Sequence, residues 1–454
     1  MMKKLLLSLL CFVAFNVNAQ NFWTEYATEQ SAASTGMRSI SIVDANIAWL
    51  SMTCGTTGCA TIRRYSKTIN AGLNWTTGVV DLGAASANLE IANIHGVSSS
   101  VAYASVFPKA AGAIGGVWKT TDGGTTWVRQ GTATYSDGAS FTNIVYFWDA
   151  NNGVTMGDPA NGYYEIYTTS NGGTNWSRVP SSPALIPTAA TDYGLTNQFT
   201  TNGNSIWFGT TFGRILRSTD KGLTWAVSQA PIPDFGGGIN GSESGDLAFT
   251  SATNGLLQTS DYVLYSTSNA GATWSPSIIY NGDMRNFGLA SIPGSPNKYI
   301  SIGADIANSE RGSSYTTDGG LNWTSINNNP DVNFVNGSVV EFLDINTGYA
   351  SGFSTSATVG GIFKWNANQL ATATFSNGEI LSAYPNPTKG TFNLQSKDIS
   401  SITVFDVLGK QIINKEYNAL SSVSLDLSSY NNGIYLVKVF NAEGASSLIK
   451  VVKE

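Results

Sequence analysis

The octapeptide TTDGGTTW at residues 120–127 decides the fold, because variants of it recur along the chain. The copies are TINAGLNW (68–75), TSNGGTNW (169–176), STDKGLTW (218–225), TSNAGATW (267–274) and TTDGGLNW (316–323). The tryptophans that end the six copies are 52, 49, 49, 49 and 49 residues apart. A fixed period of this length is typical of a solenoid or a propeller.

The residue types in these copies are those of a tight turn. Asp or Asn can accept backbone N–H bonds, Gly supplies positive φ, and the Ser or Thr hydroxyl can bond back to the backbone. Trp then covers the turn with a large apolar surface. Three of the six Asp or Asn positions are neutral, so we expect a structural role and no metal. These positions are Asn70, Asp122, Asn171, Asp220, Asn269 and Asp318.

Each period also contains apolar segments separated by turn residues, such as IVYFWDANNGVTMG at 144–157. Four short strands in one period of about 49 residues make one propeller blade. The segments GGVWK at 115–119 and GGIFK at 360–364 are 245 residues apart, which is five periods, so a seventh blade begins near Val335.

The seventh blade lacks a turn copy after Trp365, whereas Trp23 lies 52 residues before Trp75 with no blade of its own. We therefore expect the N-terminal strand to complete the last blade, because pairing the termini removes both open sheet edges. The sequence predicts an all-β fold with a seven-bladed β-propeller at residues 20–368. Six or eight blades are the alternatives, and each leaves one Trp unexplained.

The repeated octapeptide resembles the Asp-box, or bacterial neuraminidase repeat, of sialidases, sortilin, xyloglucanases and photosystem II stability/assembly factor-like proteins. The resemblance covers about residues 21–370 and implies the propeller fold, but these relatives differ in function. The Asp158-Pro159 segment and the positions of Trp49, Gly153 and Gly348 are most similar to the assembly factor-like group. That likeness implies a propeller that binds a partner and performs no chemistry.

A second module follows a small, polar linker at residues 369–380. Alternating apolar residues with Gly at the turns predict a small all-β domain at 381–454. The segments YPNP (384–387), DVLGK (406–410) and GIYLV (433–437) resemble the C-terminal sorting domain of type IX secretion substrates. This resemblance implies an immunoglobulin-like β-sandwich that the type IX machinery recognises. A carbohydrate-binding or adhesion sandwich is the alternative.

The N-terminus predicts export. Residues 1–19 have a basic pair, an apolar run and small residues before a cleavage point after Ala19, which is typical of a secretory signal peptide. No other stretch is long and apolar enough for a transmembrane segment. We expect passage through the periplasm to the cell surface or medium. In an oxidising compartment, Cys54 and Cys59 then form a disulfide across a hairpin, with a free pair as the alternative.

Composition excludes several functions. The chain has 454 residues, a formal net charge of −6 and one His. Without a basic face, a nucleic-acid partner is not expected. A single imidazole argues against most zinc sites, and no motif indicates a cofactor.

The candidate ligand-binding residues lie mainly on long loops of one propeller face. In a blade with strands a to d, the a–b and Asp-box turns share one face, whereas the b–c hairpins and d–a connections share the other. Long loops on a rigid scaffold often carry function, and these loops also contain Lys109 and Tyr193. The candidates are Arg38, Asp158, Tyr163, Tyr164, Arg214, Phe235, Asp283, Arg285 and Arg311.

Two functions are compatible with these residues. The first is a non-catalytic module that binds glycan or protein on the long-loop face. The alternative is an exported glycoside hydrolase of sialidase-like type, for which Arg38 would be the first of three substrate-binding arginines, with Arg214 or Arg285 completing the cluster. The Ile-Pro that follows the first sialidase arginine is absent after Arg38, and no residue is assigned as catalytic. We interpret His95 as a turn or loop residue.

Overall fold

The computed structural model describes residues 22–28, 34–55, 61–84, 86–238, 244–304, 311–326, 339–354, 356, 358–366, 382–407, 410–441 and 446–454. The predicted signal peptide, the linker at 369–380 and Cys59 lie outside these residues. Cys54 is disulfide-bonded. The chain divides into two compact units, Met1–Ala367 and Asn368–Glu454.

Seven antiparallel sheets follow one another in the first unit. Blades one and two contain β2 (Thr35–Ile42), β3 (Ala48–Cys54), β4 (Arg64–Thr68), β5 (Thr76–Val79), β6 (Leu89–Gly96), β7 (Ala102–Pro108), β8 (Gly116–Thr120) and β9 (Val128–Arg129). Blades three and four contain β10 (Thr142–Phe147), β11 (Gly153–Ala160), β12 (Tyr163–Thr169), β13 (Ser177–Arg178), β14 (Gly194–Asn202), β15 (Ser205–Thr210), β16 (Arg214–Ser218) and β17 (Ala226–Gln229).

The remaining blades follow the same order. Blade five contains β18 (Gly245–Phe249), β19 (Gly255–Thr259) and β20 (Leu264–Thr267), and blade six contains β21 (Gly288–Ser291), β22 (Tyr299–Ala304), β23 (Arg311–Thr316) and β24 (Thr324–Ser325). Blade seven contains β25 (Val340–Asp344), β26 (Thr347–Ser351), β27 (Gly361–Trp365) and β1 (Trp23–Ala27). Short 3₁₀ helices lie at Ser86–Asn88 and Pro183–Leu185.

The N-terminal strand closes the ring, as the sequence predicts. Strand β1 is antiparallel to β27, with Trp23 opposite Trp365. The two indole rings lie 5.0 Å apart in an edge-to-face arrangement, and Trp23 Nε1 donates a hydrogen bond of 2.9 Å to Ser313 Oγ of blade six. The prediction of seven blades is therefore confirmed.

Blade five differs from the expected four strands, since three are present among its described residues. The segment after its Asp-box contains Pro276, which has no N–H to donate to a sheet. Isolated bonds from Ser275 N to Ser266 O and from Ile278 N to Leu264 O replace the ladder. Regular pairing is lost for this reason.

The Asp-box turns have the hydrogen bonds that their residue types predict. Thr120 Oγ1 accepts from Gly124 N at 2.9 Å, and Asp122 Oδ1 accepts from Thr126 N at 2.9 Å. Trp127 Nε1 donates to Gly124 O at 3.2 Å, and Gly124 has a φ of 98°. Bonds from Thr126 lower the pKa of Asp122 to about 2. The carboxylate is thus a hydrogen-bond acceptor inside its own turn.

Adjacent blades are joined by apolar clusters and by polar side chains of the inner strands. Asn93 of blade two both donates to and accepts from the Val145 backbone of blade three, each at 2.9 Å. Asp246 Oδ2 of blade five accepts from Leu289 N of blade six at 2.8 Å. We call such a side chain an inter-blade clamp. These clamps satisfy polar groups of the inner strands, since a buried unpaired group is costly.

The C-terminal unit is a β-sandwich whose five strands are β28 (Ser382–Tyr384), β29 (Thr391–Asp406), β30 (Gln411–Asp426), β31 (Gly433–Asn441) and β32 (Ser446–Lys453). The first half of β29 pairs with β28, and its second half pairs with β31. Its pairing with β30 shifts register between Gln395 and Ile399, where the strand passes from one half to the other. Apolar residues such as Phe392 and Val437 form the core.

Candidate functional site

The inner strands of all seven blades surround an axial channel of about 1590 Å³. Side chains of β2, β6, β10, β14, β18, β21 and β25 line it. Arg38 and Arg311 are its arginines among the described lining residues. At the long-loop end, residues of a d–a connection such as Gly236 and Gly237 line the channel, and we call this end the channel opening.

Arg38 lies at this opening in a network of charges. Its guanidinium forms an ion pair with Glu90, and Lys109 Nζ lies 3.2 Å from the other Glu90 oxygen. The Arg38 guanidinium also lies 5.8 Å from the Phe107 ring centroid. Across the channel, Asn197 Nδ2 donates to Arg38 O at 2.8 Å. Arg38 is half-buried and already neutralised by a carboxylate of the chain.

The other arginines proposed for a sialidase-like cluster lie elsewhere. Arg214 is 5% exposed and its Nη1 lies 2.5 Å from Asp192 Oδ2. Arg285 is fully buried, and its Nη2 donates to Ser325 Oγ at 2.8 Å. Neither lines the channel. Among the residues that the structure describes, three arginines do not converge, and neither Arg214 nor Arg285 is available to a ligand.

Two aromatic candidates are also core residues. Tyr164 is fully buried and its hydroxyl donates to Asp192 Oδ1 at 2.9 Å. Phe235 is 2% exposed and packs on the backbone of Gly209, where an added Cβ would lie 2.6 Å from the ring. The expectation of an accessible side chain is therefore wrong for Tyr164, which is enclosed on a strand. Phe235 lies in a compact turn and contributes to the channel wall.

The remaining candidates are accessible but separate. Asp283 is exposed in the connection before blade six, and Arg311 is exposed at the channel. Tyr163 is half-buried, with the Arg178 guanidinium 4.2 Å from its ring centroid. Asp158 is the candidate that lies inside a second hollow.

This second hollow is a pocket of about 440 Å³ on the long-loop face, which we call the lateral pocket. Four segments meet around it: the end of β7, residues 138–141, the β11–β12 hairpin and residues 187–193. Its walls include Pro108, Pro159, Pro187, Phe141 and Tyr193. Because Tyr193 lines this pocket and Leu195 lines the channel, the same loop separates the two hollows.

Of the described residues that line the lateral pocket, Asp158 alone has a charged side chain. Its Oδ1 accepts hydrogen bonds from Asn143 Nδ2 at 2.7 Å and from Gly194 N at 2.9 Å. Burial raises the pKa of Asp158 to about 7, because desolvation outweighs these two bonds. The hairpin is tighter than expected, since β11 extends to Ala160 and leaves a two-residue turn.

Among the described residues that line the channel are one imidazole and two carboxyl side chains. His95 belongs to β6, and its Nε2 contacts Phe147 O at 2.9 Å. Burial lowers the pKa of His95 to about 4. Burial raises the pKa of Asp246 to about 6 and that of Glu341 to about 8. The expected turn or loop position of His95 is wrong, because the inner strand continues to Gly96 before its turn.

Sequence reasoning missed several residues of the lateral pocket. Phe141, Pro108 and Pro187 lie apart in the sequence and carry no motif. Asn143 occupies an inner strand, where its bond to Asp158 depends on the neighbouring hairpin.

In the described part of the chain, no group of three or more His, Cys, Asp or Glu side chains has a metal-binding arrangement. No described helix is long and apolar enough to cross a membrane.

Fold and sequence together define a propeller joined to a secretion module. Residues 382–454 match the family model described as the secretion system C-terminal sorting domain. The chain therefore carries a type IX sorting domain, which indicates export to the cell surface or medium. A search of curated proteins gave no match.

Solved structures with a similar fold share little sequence with this chain. YCF48 bound to D1 peptide is 14% identical over 78% of this chain and 97% of that chain, with a TM-score of 0.51. YCF48 from Cyanidioschyzon merolae is 16% identical over 76% and 99%, with a TM-score of 0.49. The NanB sialidase from Streptococcus pneumoniae is 12% identical over 78% and 71%, with a TM-score of 0.40. At such identities the likeness is one of fold.

Proposed function

We propose that the propeller is an exported, non-catalytic binding module that takes a glycan or protein ligand on its long-loop face. The observation that carries this proposal is the meeting of four long-loop segments around the lateral pocket, beside the channel opening. Concave sites with few fixed polar groups are typical of ligand binding. The signal peptide and sorting domain would deliver the module through the periplasm to the surface or medium.

The arrangement of charges favours binding over hydrolysis. A sialidase-like site needs three arginines around one carboxylate, whereas Arg214 pairs with Asp192 and Arg285 is enclosed. Both carboxylate oxygens of Asp246 accept hydrogen bonds from backbone N–H groups, those of Leu247 and Leu289. These groups are used in structural contacts and are not poised for proton transfer.

Peptide binding is compatible with this fold. One similarly folded propeller, YCF48, was solved bound to the D1 peptide. We extend to this chain the general mode only, in which a propeller face receives a partner. The sequence of the partner is not carried over.

The test uses the purified full chain on glycan and peptide arrays, with hydrolysis of a fluorogenic sialoside measured in parallel. We expect saturable binding without turnover. Arg311→Ala, which removes an exposed cation at the channel, should weaken any ligand that enters the channel by at least about 3-fold, since exposed charge contacts are modest. Turnover abolished by Arg38→Ala would establish the hydrolase instead, and absence of binding on every array would refute the module.

A further inference from the structure

We infer that the lateral pocket binds a cationic side chain, arginine or lysine, of a protein partner. The inference rests on the proposed function and deepens it, since it assigns the chemistry of one subsite on the long-loop face. It is carried by the Asp158 carboxylate, by an apolar and aromatic wall, and by a charge that the other described lining residues leave uncompensated.

Within the described residues, one oxygen of the Asp158 carboxylate, Oδ2, has no hydrogen-bond donor. Both hydrogen bonds to the Asp158 carboxylate end on Oδ1, from Asn143 and Gly194. A ligand that presents N–H groups would donate hydrogen bonds to Asp158 Oδ2, whereas an anion or an acceptor-only ligand would not.

Two charged residues next to the pocket walls, Lys109 and Glu165, are already engaged with other groups. Lys109, which follows the wall residue Pro108, is paired with Glu90. Glu165, below the wall residue Ser140, accepts from the hydroxyls of Ser140 and Tyr167. When Asp158 is ionised, the described lining carries one negative charge, and charge complementarity favours a cation.

The aromatic walls of the lateral pocket favour a cationic side chain with an alkyl stem. Phe141 stacks on Phe107 with ring centroids 4.7 Å apart, which fixes the Phe141 ring at the pocket edge. Tyr193 is 42% exposed on the opposite loop. A guanidinium or an ammonium group on an alkyl stem gains from aromatic faces and from a partly desolvated carboxylate. Neutral glycan hydroxyls gain less from the same carboxylate, so we favour the cationic side chain.

The same arrangement already occurs within this chain. Arg178 places its guanidinium 4.2 Å from the Tyr163 ring centroid, and its Nη2 donates to Ala160 O at 2.7 Å. This contact lies beside the same β11–β12 hairpin. It gives the geometry that we expect for the ligand cation against Tyr193 or Phe141.

The experiment uses the full chain and two probes, acetyl-Gly-Arg-Gly-amide and acetyl-Gly-citrulline-Gly-amide, whose side chains differ mainly in charge. Saturation-transfer NMR titrations at pH 8, where Asp158 is mostly ionised, measure both affinities. We expect the arginine peptide to bind about 10-fold more tightly, because a charge-assisted hydrogen bond replaces a neutral one. A lysine peptide should also bind more tightly than the citrulline peptide.

Asp158→Asn should abolish this preference, because it removes the charge and keeps an oxygen that can accept from Asn143 and Gly194. Asp261→Asn is the matched control, since Asp261 is an exposed carboxylate on a b–c hairpin of the same face. It should leave the preference unchanged and should match the parent in thermal unfolding. Asp158→Asn should unfold at the same or a higher temperature than the parent at pH 8, because it removes a buried charge. Equal binding of the two peptides, or a preference that survives Asp158→Asn, would overturn the inference. Array binding that persists in Asp158→Asn would leave the proposed binding function standing.

Discussion

The carboxyl group of Glu341 makes the stability of the propeller depend on pH. Glu341 lies on β25 and accepts a hydrogen bond from the Ile42 backbone, so it is the inter-blade clamp between blades seven and one. Burial raises the pKa of Glu341 to about 8. The folded protein therefore holds this proton more tightly than the unfolded chain does.

The sign and size of the effect follow from the difference between the folded and unfolded pKa of Glu341. Its contribution to stability is complete below the unfolded pKa of about 4.3 and falls as pH rises toward 8. A tenfold difference in proton affinity corresponds to about 1.4 kcal/mol, so the whole difference corresponds to ~5 kcal/mol. Because Glu341 lines a channel of about 1590 Å³, we discount this value for solvent screening and expect about 2 kcal/mol between pH 5 and pH 8. Glu341→Gln keeps an acceptor for Ile42 and removes the titration.

The assay is urea unfolding of the full chain followed by tryptophan fluorescence. All 12 Trp residues lie between positions 23 and 365, so the signal reports the propeller and not the sorting domain. Relative to the parent, we expect Glu341→Gln to be about 2 kcal/mol more stable at pH 8 and nearly equal at pH 5. Asp261→Asn, an exposed control, should follow the parent at both pH values. Parallel pH profiles for the parent and Glu341→Gln would refute the reasoning.

Two further predictions concern closure and the repeated turn. Trp23→Ala should lower the free energy of unfolding by about 3–5 kcal/mol, because Trp23 is 2% exposed and packs on Trp365; urea unfolding followed by circular dichroism measures this, and a loss below about 1 kcal/mol would contradict the closure role. Asn171→Ala should cost about 1 kcal/mol by leaving Asn175 N–H without its acceptor; an unchanged midpoint in the same assay would contradict the role of that bond.

The repeat made the fold predictable to the level of individual strand pairs. Trp spacing counts the blades, and the lone Trp23 identifies the strand that completes the ring. Blade five shows the limit of this reasoning, because its Asp-box is intact while Pro276 prevents a fourth strand from pairing. A turn sequence specifies its own hydrogen bonds, but the strand after it depends on the residues that follow.

The candidate site was less predictable because exposure is set by tertiary contacts. Arg214 and Tyr164 have residue types that are common in binding sites, yet both bond to Asp192, a residue 22 and 28 positions away. Asp158 is different, since the adjacent Pro159 and the hairpin place its carboxylate at the wall of a pocket. Only the contact of four separate segments reveals that pocket.

The inter-blade clamps favour the lateral pocket over the centre of the channel as the proposed binding site. On the inner strands, Asn93, Asp246 and Glu341 each bond to the backbone of the next blade. Changing one of them for catalysis would leave a backbone group of that next blade unpaired, which costs stability. Among the described residues, Asp158 Oδ2 accepts no hydrogen bond from a neighbouring blade. A ligand contact at Asp158 Oδ2 would leave the inter-blade clamps intact, which is a physical reason for proposing the binding site at the lateral pocket and not on the channel axis.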